Sequence, residues 1–366
     1  MAVHIKDMLI NSFRGIRDLR LGSLNGVNIL TGDNNSGKTS VLELLSTLNG
    51  PDTFAVWSGC TRPSVRSTSR RPYFEEFYSL FPEGESRKHI SFSVKMARGG
   101  FHHISLEADI YETQLSDEDM DVINGYAVSR NASQIQNQIV RCMELRSYEN
   151  GKSTELGELY DFQYRVSGTR YRSATGRELI KAVYVEPFAH TSKQAPLRLI
   201  LSNSEAYEEM LQVLREFDPH VTAVTAVPPE YPGMVPDFRV LSDNHEDGLP
   251  LSAYGDGMKK AITLCANAIR AKDGILLLDE FETAIHTSAM RETFQTLLSV
   301  ALRMNVQVFM TSHSKEAIEK VLGLDEDIRQ SINLYTLYKH SGKSVVRRMT
   351  CAEALEASEY LGIDLR

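Results

Sequence analysis

A glycine-containing octapeptide, Gly32–Thr39, has the residue types and spacing that bind phosphate. It reads Gly-Asp-Asn-Asn-Ser-Gly-Lys-Thr and matches the pattern GxxxxGK followed by serine or threonine. Glycines let the backbone curl so that successive N–H groups point at phosphate oxygens. Lys38 adds a full charge near the β and γ phosphates, and Thr39 offers a hydroxyl to magnesium. The pattern predicts a site for ATP and Mg²⁺ formed by Gly32, Asp33, Asn34, Asn35, Ser36, Gly37, Lys38, Thr39 and Ser40.

Two carboxylates, Asp279 and Glu280, follow the apolar run Ile275–Leu278. The run is too short for a helix and apolar on both faces, which is typical of an inner strand in a sheet covered on both sides. We expect Asp279 to hold magnesium through water beside Thr39, and Glu280 to polarise the attacking water. A solvated strand end without function is the alternative, and the apolar run together with the upstream phosphate loop disfavours it.

A histidine, His313, ends a second short apolar run, Val306–Met310, after Thr311 and Ser312. A histidine at that strand end can reach a γ phosphate or orient water. Most single histidines are structural, but this one lies one predicted helix beyond the acidic pair, which favours a catalytic role.

A second glycine-containing turn precedes a predicted helix that starts near Met258. Its backbone N–H groups predict a second anion-binding position. This position cannot make the contact that Lys38 makes, so we expect it to cap the nucleotide of a neighbouring subunit. The residues assigned to this turn are Ser252, Tyr254, Gly255, Asp256 and Gly257.

The elements that must position these groups follow from periodicity. Three strands are expected within residues 3–32, a hairpin within 89–112, and another strand at 181–188. Residues 197–217 predict one or two helices, and 257–271 and 290–304 predict amphipathic helices. Residues 113–160 are mixed and polar, and we expect them to be helical in part.

Composition restricts the class of protein. The chain has 366 residues and a net charge of −8, which argues against a wholly basic nucleic-acid binder. It has no apolar run of about 18 residues and no secretion signal, so we expect no membrane span. Four widely spaced cysteines predict reduced thiols and a cytoplasmic location. Two arginine-rich stretches are either solvated loops or docking surfaces for phosphate backbones or partners: Arg62, Arg66, Arg70 and Arg71, and Arg165, Arg170, Arg172, Arg177 and Lys181.

The order of these motifs resembles the ATP-binding-cassette (ABC) ATPases, in particular the SMC/RecF-like branch and the OLD-family heads. In that resemblance GDNNSGKTS is Walker A, SAYGDGMKK occupies the signature position, ILLLDE is Walker B, and TSHS is the switch-histidine segment. The opening run from Asn11 also looks like such heads and implies that Arg14 contacts nucleotide. LLDEFETAIHTS resembles the OLD-type Walker B and D-loop run and implies that His286 lies in the D-loop.

The resemblance implies an α/β fold: an ABC-ATPase head with a mixed central β-sheet flanked by helices, an N-terminal antiparallel β subdomain and a helical insertion. One head is expected over residues 1–366, with lobe I at about 1–200 and lobe II at about 201–366. The signature departs from LSGGQ, and Gln194 is only a weak candidate for the Q-loop glutamine. Because about fifty residues follow His313, we expect no Toprim domain in this chain.

Several functions remain open at this stage. The first is an ATPase that forms a homodimer or higher homo-oligomer around ATP and regulates a separate Toprim or HNH nuclease, or a toxin, in antiphage defence. The second is a RecF-like clamp that binds DNA in an ATP-dependent way. A small-molecule kinase is a weaker third, because it would need a lid and an acceptor pocket and would leave the second glycine turn unexplained. No NKxD motif occurs, which favours ATP over GTP.

Overall fold

The strands that carry the sequence motifs lie side by side in one mixed sheet. The structure is a computed structural model, and it describes residues 2–61, 73–84, 87–115, 139–162, 176–191, 197–228, 237–340 and 343–361. The strands are β1 (Ile5–Phe13), β2 (Ile16–Leu21), β3 (Val27–Gly32), β4 (Lys88–Met96), β5 (Phe101–Gln114), β6 (Ile139–Glu149), β7 (Lys152–Tyr160), β8 (Ala182–Val185), β9 (Val221–Val227), β10 (Asp237–Ser242), β11 (His245–Pro250), β12 (Ile275–Leu278), β13 (Gln307–Thr311), β14 (Ile332–His340) and β15 (Lys343–Thr350). The helices are α1 (Lys38–Ser46), α2 (Phe54–Ser58), α3 (Tyr73–Tyr78), α4 (Leu197–Leu201), α5 (Ser204–Phe217), α6 (Asp256–Arg270), α7 (Thr287–Arg303), α8 (Lys315–Leu322), α9 (Glu326–Arg329) and α10 (Cys351–Leu361).

The central sheet has the strand order β15-β14-β3-β13-β12-β8. Strands β14, β3, β13, β12 and β8 run parallel, and β15 pairs antiparallel with β14. Parallel neighbours end at the same edge of a sheet, where α/β proteins bind ligands. The loops that follow β3, β12 and β13 therefore open at one edge.

Both faces of this sheet are covered, which explains why its inner strands are apolar throughout. Leu277 packs into a cluster with Leu42 of α1 and with the N-terminal sheet, whereas Leu276 and Leu278 pack into a cluster with α7, α8 and α10. Alternate side chains of one strand point to opposite faces, so an inner strand must be apolar at every position. The predicted strands Ile275–Leu278 and Val306–Met310 are confirmed in this arrangement.

A second, antiparallel sheet is formed by the N-terminal part of the chain, with the order β2-β1-β4-β5-β6-β7. The fully buried side chain of Gln307 joins it to the central sheet. Gln307 Oε1 accepts from the backbone N–H groups of His4 and Ile5 at 2.9 and 2.8 Å, and Nε2 donates to the Ile5 carbonyl at 2.9 Å. The predicted α/β head with an N-terminal antiparallel subdomain is confirmed.

Within the stretch 113–160, which is expected to be helical in part, residues 139–160 form the antiparallel pair β6 and β7. Long polar side chains on one face of this pair conceal its alternation. Residues 116–138 lie outside the described part of the chain. Helices do occur further on, where α4, α5 and α6 pack with the three-stranded sheet β11-β10-β9 around a third cluster.

Two observations concern the environment of the chain. Within the described residues, no helix is both long and apolar enough to cross a membrane. All four cysteines are free and buried.

Candidate nucleotide site

The two halves of the predicted site meet at the carboxyl edge of the central sheet. Thr39, the first-turn residue of α1, donates its hydroxyl to Asp279 Oδ1 at 3.0 Å and lies 3.2 Å from Oδ2, although the residues are 240 positions apart. Thr311, the last residue of β13, donates its hydroxyl to Asp279 Oδ1 at 2.6 Å. Asp279 therefore connects the ends of three elements that are distant in the chain.

The loop between β3 and α1 has the backbone curvature that a phosphate cradle needs. Gly32 and Gly37 have φ angles of 128° and 105°, values that side-chain-bearing residues rarely adopt. A Cβ at Gly32 would also lie 2.0 Å from the carbonyl oxygen of Leu337 on β14. No side chain caps the N-terminus of α1, so its first N–H groups and its positive dipole end face the loop.

The side chain of Lys38 folds back and bonds the backbone of this loop. Its Nζ donates to the carbonyl oxygens of Gly32 and Asp33 at 2.7 and 2.9 Å, and the residue is only 5% exposed. Burial lowers the pKa of Lys38, and the nearby carboxylates of Asp279, Asp33 and Glu280 partly oppose this effect. The ammonium therefore has backbone partners that phosphate oxygens can replace.

A cleft of about 540 Å³ opens beside the loop. Several predicted residues line it together with three that the sequence analysis did not identify, Gly15, Ile16 and Lys339. The full lining is Arg14, Gly15, Ile16, Asn34, Asn35, Gly37, Lys38, Thr39, Ser40, His313 and Lys339. Arg14 also forms an ion pair with Glu43 of α1, with Nη1 3.0 Å from Oε2. The cleft thus carries cations at several points around the phosphate loop.

Glu280 and His313 face each other at the edge of this region. Glu280 Oε1 and His313 Nε2 are 3.8 Å apart, and the two side chains are 44% and 39% exposed. Glu280 adopts a left-handed backbone with φ of 42°, and its N–H donates to Thr311 Oγ1 at 2.9 Å. At this separation the carboxylate and the imidazole lie just outside direct hydrogen-bond distance, and a small side-chain movement would let them share a proton.

Three further polar residues surround the acidic strand end, and the sequence analysis missed them. Tyr184 on β8 donates its hydroxyl to Asp279 Oδ2 at 3.1 Å. Glu282 bonds the segment that carries His313, as described below. Lys260 on α6 is 1% exposed and donates from Nζ to the Pro187 carbonyl at 2.7 Å. Burial lowers the Lys260 pKa to about 8, although Glu282, Asp279 and Glu280 act in the opposite direction.

The second glycine turn lies apart from the cleft in a single chain. Residues 251–253 form a 3₁₀ turn, Gly255 is the N-cap, and α6 begins at Asp256, two residues before the predicted start. Ser252, Gly255 and Asp256 are exposed. None of the residues Ser252, Tyr254, Gly255, Asp256 and Gly257 is among those lining the cleft described above. Asp256 forms an ion pair with Lys259 at 2.8 Å, which lowers the Asp256 pKa.

His286 is the N-cap of α7. Its Nδ1 accepts from the Ser288 N–H at 3.3 Å and lies 2.8 Å from Ser288 Oγ. The described contact is therefore a local cap, and a D-loop role stays a prediction. Gln194 lies outside the described residues, as does the arginine-rich set Arg62, Arg66, Arg70, Arg71, Arg165, Arg170 and Arg172.

The oxygen donors at the strand ends suit a hard divalent cation. The Thr39 hydroxyl and the Asp279 carboxylate supply the ligand types that Mg²⁺ prefers, and Mg²⁺ commonly takes its remaining ligands from water and substrate phosphates. Within the described residues, no group of three or more His, Cys, Asp or Glu side chains could hold a metal ion by itself. The hydroxyl of Thr39 and the carboxylate of Asp279, 3.0 Å apart, fit a metal ion bound together with nucleotide.

The fold and this cleft define a P-loop ATPase head of the ABC type. Residues 162–319 match a family described as "AAA domain, putative AbiEii toxin, Type IV TA system". An "ATP/GTP phosphatase" from Helicobacter pylori is 23% identical over 384 residues, which cover 96% of this chain and 97% of that protein. An uncharacterized protein from Methanocaldococcus jannaschii is 34% identical over 114 residues, which cover 31% of this chain and 98% of that protein.

Solved structures agree on the fold. An SMC head bound to the C-terminal winged-helix domain of ScpA superimposes with a TM-score of 0.50 and 10% identity, covering 96% of this chain and 99% of that one. The chain therefore has the fold of an SMC head, and its residues 162–319 resemble the AAA family named above. It is an ATPase.

Proposed function

We propose that this ATPase works as a switch, in which two copies close around ATP and hydrolysis separates them. The observation that carries the proposal is the contact between Thr39 and Asp279, 3.0 Å across 240 positions of chain. It brings a phosphate-binding loop and an acidic strand end into one site. Such a site can hold a triphosphate and its metal ion while a base acts on water.

Each residue has a defined part in this proposal. The loop Gly32–Ser40, together with Arg14, holds the nucleotide, and Lys38 replaces its carbonyl partners with phosphate oxygens. Thr39 and Asp279 would hold Mg²⁺, which neutralises developing phosphate charge when bound. Glu280 accepts a proton from the attacking water, and His313 lies within reach of the γ phosphate.

A second copy completes the site. The turn at Ser252–Gly257 is exposed and lies outside the cleft of its own chain, so a neighbouring chain is the natural source of this N-terminal helix dipole. His286, next to the acidic strand end, would lie at the same face as part of the D-loop. ATP would then contact the cleft of one copy and the turn Ser252–Gly257 of the other.

We also propose that the switch acts in the cytoplasm on a separate effector, a nuclease of the Toprim or HNH type or a toxin, in antiphage defence. The family description, which names a putative AbiEii toxin, supports a defence context. The RecF-like alternative receives no support from the comparisons. Coexpression with a Toprim or HNH protein encoded next to this chain tests the effector proposal, which requires a complex whose nuclease activity depends on ATP.

Two substitutions test the nucleotide site. Lys38→Ala removes the charge in the loop and should abolish ATP binding, whereas Lys152→Ala, on an exposed position of β7, should not. Glu280→Gln should bind ATP without hydrolysing it and should accumulate dimer on a sizing column, with Glu155→Gln as the matched control. Tight ATP binding by Lys38→Ala, or normal turnover by Glu280→Gln, would contradict the assignment.

The contribution of the second copy can be tested separately at Gly255. A Cβ there meets nothing within 4 Å, and its φ of −63° suits any residue, so Gly255→Asp should fold normally. Its carboxylate would face the phosphates of the partner's nucleotide. We expect the variant to bind ATP as a monomer and to form no ATP-dependent dimer. Dimerisation equal to that of the parent protein would contradict the proposed interface.

A further inference from the structure

Glu282 is a carboxylate beside the site that none of the roles above uses. It lies two residues after Glu280, in the turn between β12 and α7. Its side chain points toward β13, where the segment Ser312–Ser314 leads into α8. Its second oxygen, Oε2, is buried and has no hydrogen-bond partner among the described residues.

Three donors of that segment converge on the other oxygen, Glu282 Oε1. The Ser312 hydroxyl donates to it at 2.7 Å, and the backbone N–H groups of His313 and Ser314 both donate at 3.2 Å. Successive N–H groups that point inward form an anion-binding nest. Here the anion is a side chain of the same molecule, and hydrogen bonds to a carboxylate are stronger than neutral ones.

The neighbouring contacts join the same two strand ends in register. The N–H of Glu280 donates to Thr311 Oγ1 at 2.9 Å, and the N–H of Phe281 donates to the Thr311 carbonyl at 3.2 Å. The Ser314 hydroxyl then accepts from the Ala317 N–H at 3.2 Å and caps α8. Glu282 therefore makes the last of the hydrogen bonds between the segment after β12 and the end of β13. Of these bonds, only those of Glu282 reach the backbone of His313.

We propose that Glu282 is a positioning residue that holds the His313 backbone, and with it the imidazole 3.8 Å from Glu280, through the single acceptor oxygen Oε1. The inference rests on the proposed function, because it gives His313 a part in hydrolysis. Glu282 does not line the described cleft, so it acts through His313 and not on the nucleotide.

A role of Glu282 as a hydrogen-bond acceptor can be distinguished from a role of its negative charge. All three donors bond one oxygen, and a glutamine can present its amide oxygen to the same three donors. Glu282→Gln should therefore keep the segment in place, whereas Glu282→Ala removes the acceptor and releases it. An electrostatic role toward neighbouring cations would be lost equally in both variants.

The experiment measures steady-state ATPase activity and ATP binding for Glu282→Ala, Glu282→Gln and the matched control Glu316→Ala, which removes an exposed carboxylate from the first turn of α8. We expect kcat to fall about 100-fold in Glu282→Ala with KM nearly unchanged, because misplacing a catalytic group by about 1 Å has an effect of this size. Glu282→Gln should stay within about threefold of the parent protein. The pH profile of kcat should change shape only in Glu282→Ala, because only in that variant is the His313 imidazole displaced from its position beside Glu280.

Other results would overturn the inference. An equal loss of kcat in Glu282→Ala and Glu282→Gln would mean that the charge of Glu282 supports hydrolysis. A kcat near the parent value in both variants would mean that the hydrogen bonds of Glu282 to Ser312–Ser314 do not affect hydrolysis. If Glu282→Ala does not fold, Ser312→Ala serves in its place, because it removes one of the three donors and should lower kcat at unchanged ATP affinity. His313→Ala distinguishes the two levels. Full activity in that variant refutes the role that the proposed function gives to His313, whereas loss of its activity beside an active Glu282→Ala refutes only the positioning role of Glu282.

Discussion

Lys260→Met is the substitution whose effect on stability the structure defines most closely. The Lys260 side chain is 1% exposed near the carboxylates of Glu282, Asp279 and Glu280, and its one described hydrogen bond goes to the Pro187 carbonyl at 2.7 Å. Methionine has a similar length and no charge. The change therefore removes a buried ammonium and leaves the packing nearly intact.

The magnitude follows from the pKa of Lys260. Burial lowers it from 10.5 to about 8, so holding the proton in the folded state costs about 3 kcal/mol near pH 7, at about 1.4 kcal/mol per pKa unit. Loss of the bond to Pro187 costs about 1 kcal/mol. The net expectation is that Lys260→Met is more stable than the parent protein by about 2 kcal/mol near pH 7.

The pH dependence has a definite sign. The folded-state pKa lies below the unfolded-state value, so the unfolded chain binds more protons between pH 8 and 10.5, and the parent protein gains stability as pH rises through this window. The charge penalty falls to about 1 kcal/mol near pH 10, where it balances the lost hydrogen bond. The advantage of the variant should therefore vanish near pH 10.

Urea unfolding at both pH values measures this difference, with Lys259→Met as the matched control. Lys259 is the preceding residue of α6, and its more exposed side chain pairs with Asp256 at the surface. The control should differ little from the parent protein and show no crossing with pH, because surface ion pairs contribute about 0–1 kcal/mol. The reasoning would be refuted if Lys260→Met were less stable than the parent near pH 7, or if its advantage did not change between the two pH values.

Three further predictions concern other parts of the molecule. Gly32→Ala should prevent stable folding in a thermal unfolding assay, because its Cβ would lie 2.0 Å from a carbonyl oxygen of β14; Gly84→Ala, with φ of 77° but open space around it, should cost only about 1 kcal/mol. Tyr184→Phe removes the hydrogen bond to Asp279 and should raise the Mg²⁺ concentration needed for half-maximal ATPase activity without weakening ATP binding; an unchanged Mg²⁺ titration would argue against it. Cys351, whose pKa burial raises to about 11, should resist iodoacetamide at pH 8 until urea is added, as followed by mass spectrometry.

The parts of the site that were predictable are those in which local pattern and chemistry coincide. Ile275–Leu278 is apolar at every position because it lies between two covered faces, and its end must then open where neighbouring parallel strands end. From that rule, the proximity of Asp279 to Thr39 follows without knowledge of the strand order.

The residues that were missed depend on pairings that local periodicity does not encode. Tyr184 reaches Asp279 because β8 pairs with β12, and the two strands are separated by the whole of α4 to α6. Lys260 lies on α6, whose periodicity predicts a buried apolar face. That periodicity does not predict that a lysine is buried as well. Glu282 was passed over because a third acid after Asp279 and Glu280 looks like a continuation of a solvated turn, and only the fold of Ser312–Ser314 shows its partner.

The hairpin of β6 and β7 was missed for a different reason. Its residues alternate between burial and exposure only approximately, with a register shift between Leu145 and Arg146. A bulge of this kind interrupts a period of two, and polar residues on the outer face make the segment resemble a charged helix.

The placement of β3 in the middle of the central sheet determines when this protein can first become active in a cell. Its two neighbours, β13 and β14, come from the far end of the chain, and Asn28 on β3 bonds Val308 across 280 positions. A ribosome needs roughly half a minute to make that much polypeptide. The nascent phosphate loop must therefore wait, with its apolar strand uncovered, until β13 and β14 have been made, so nucleotide capture follows the synthesis of both strands.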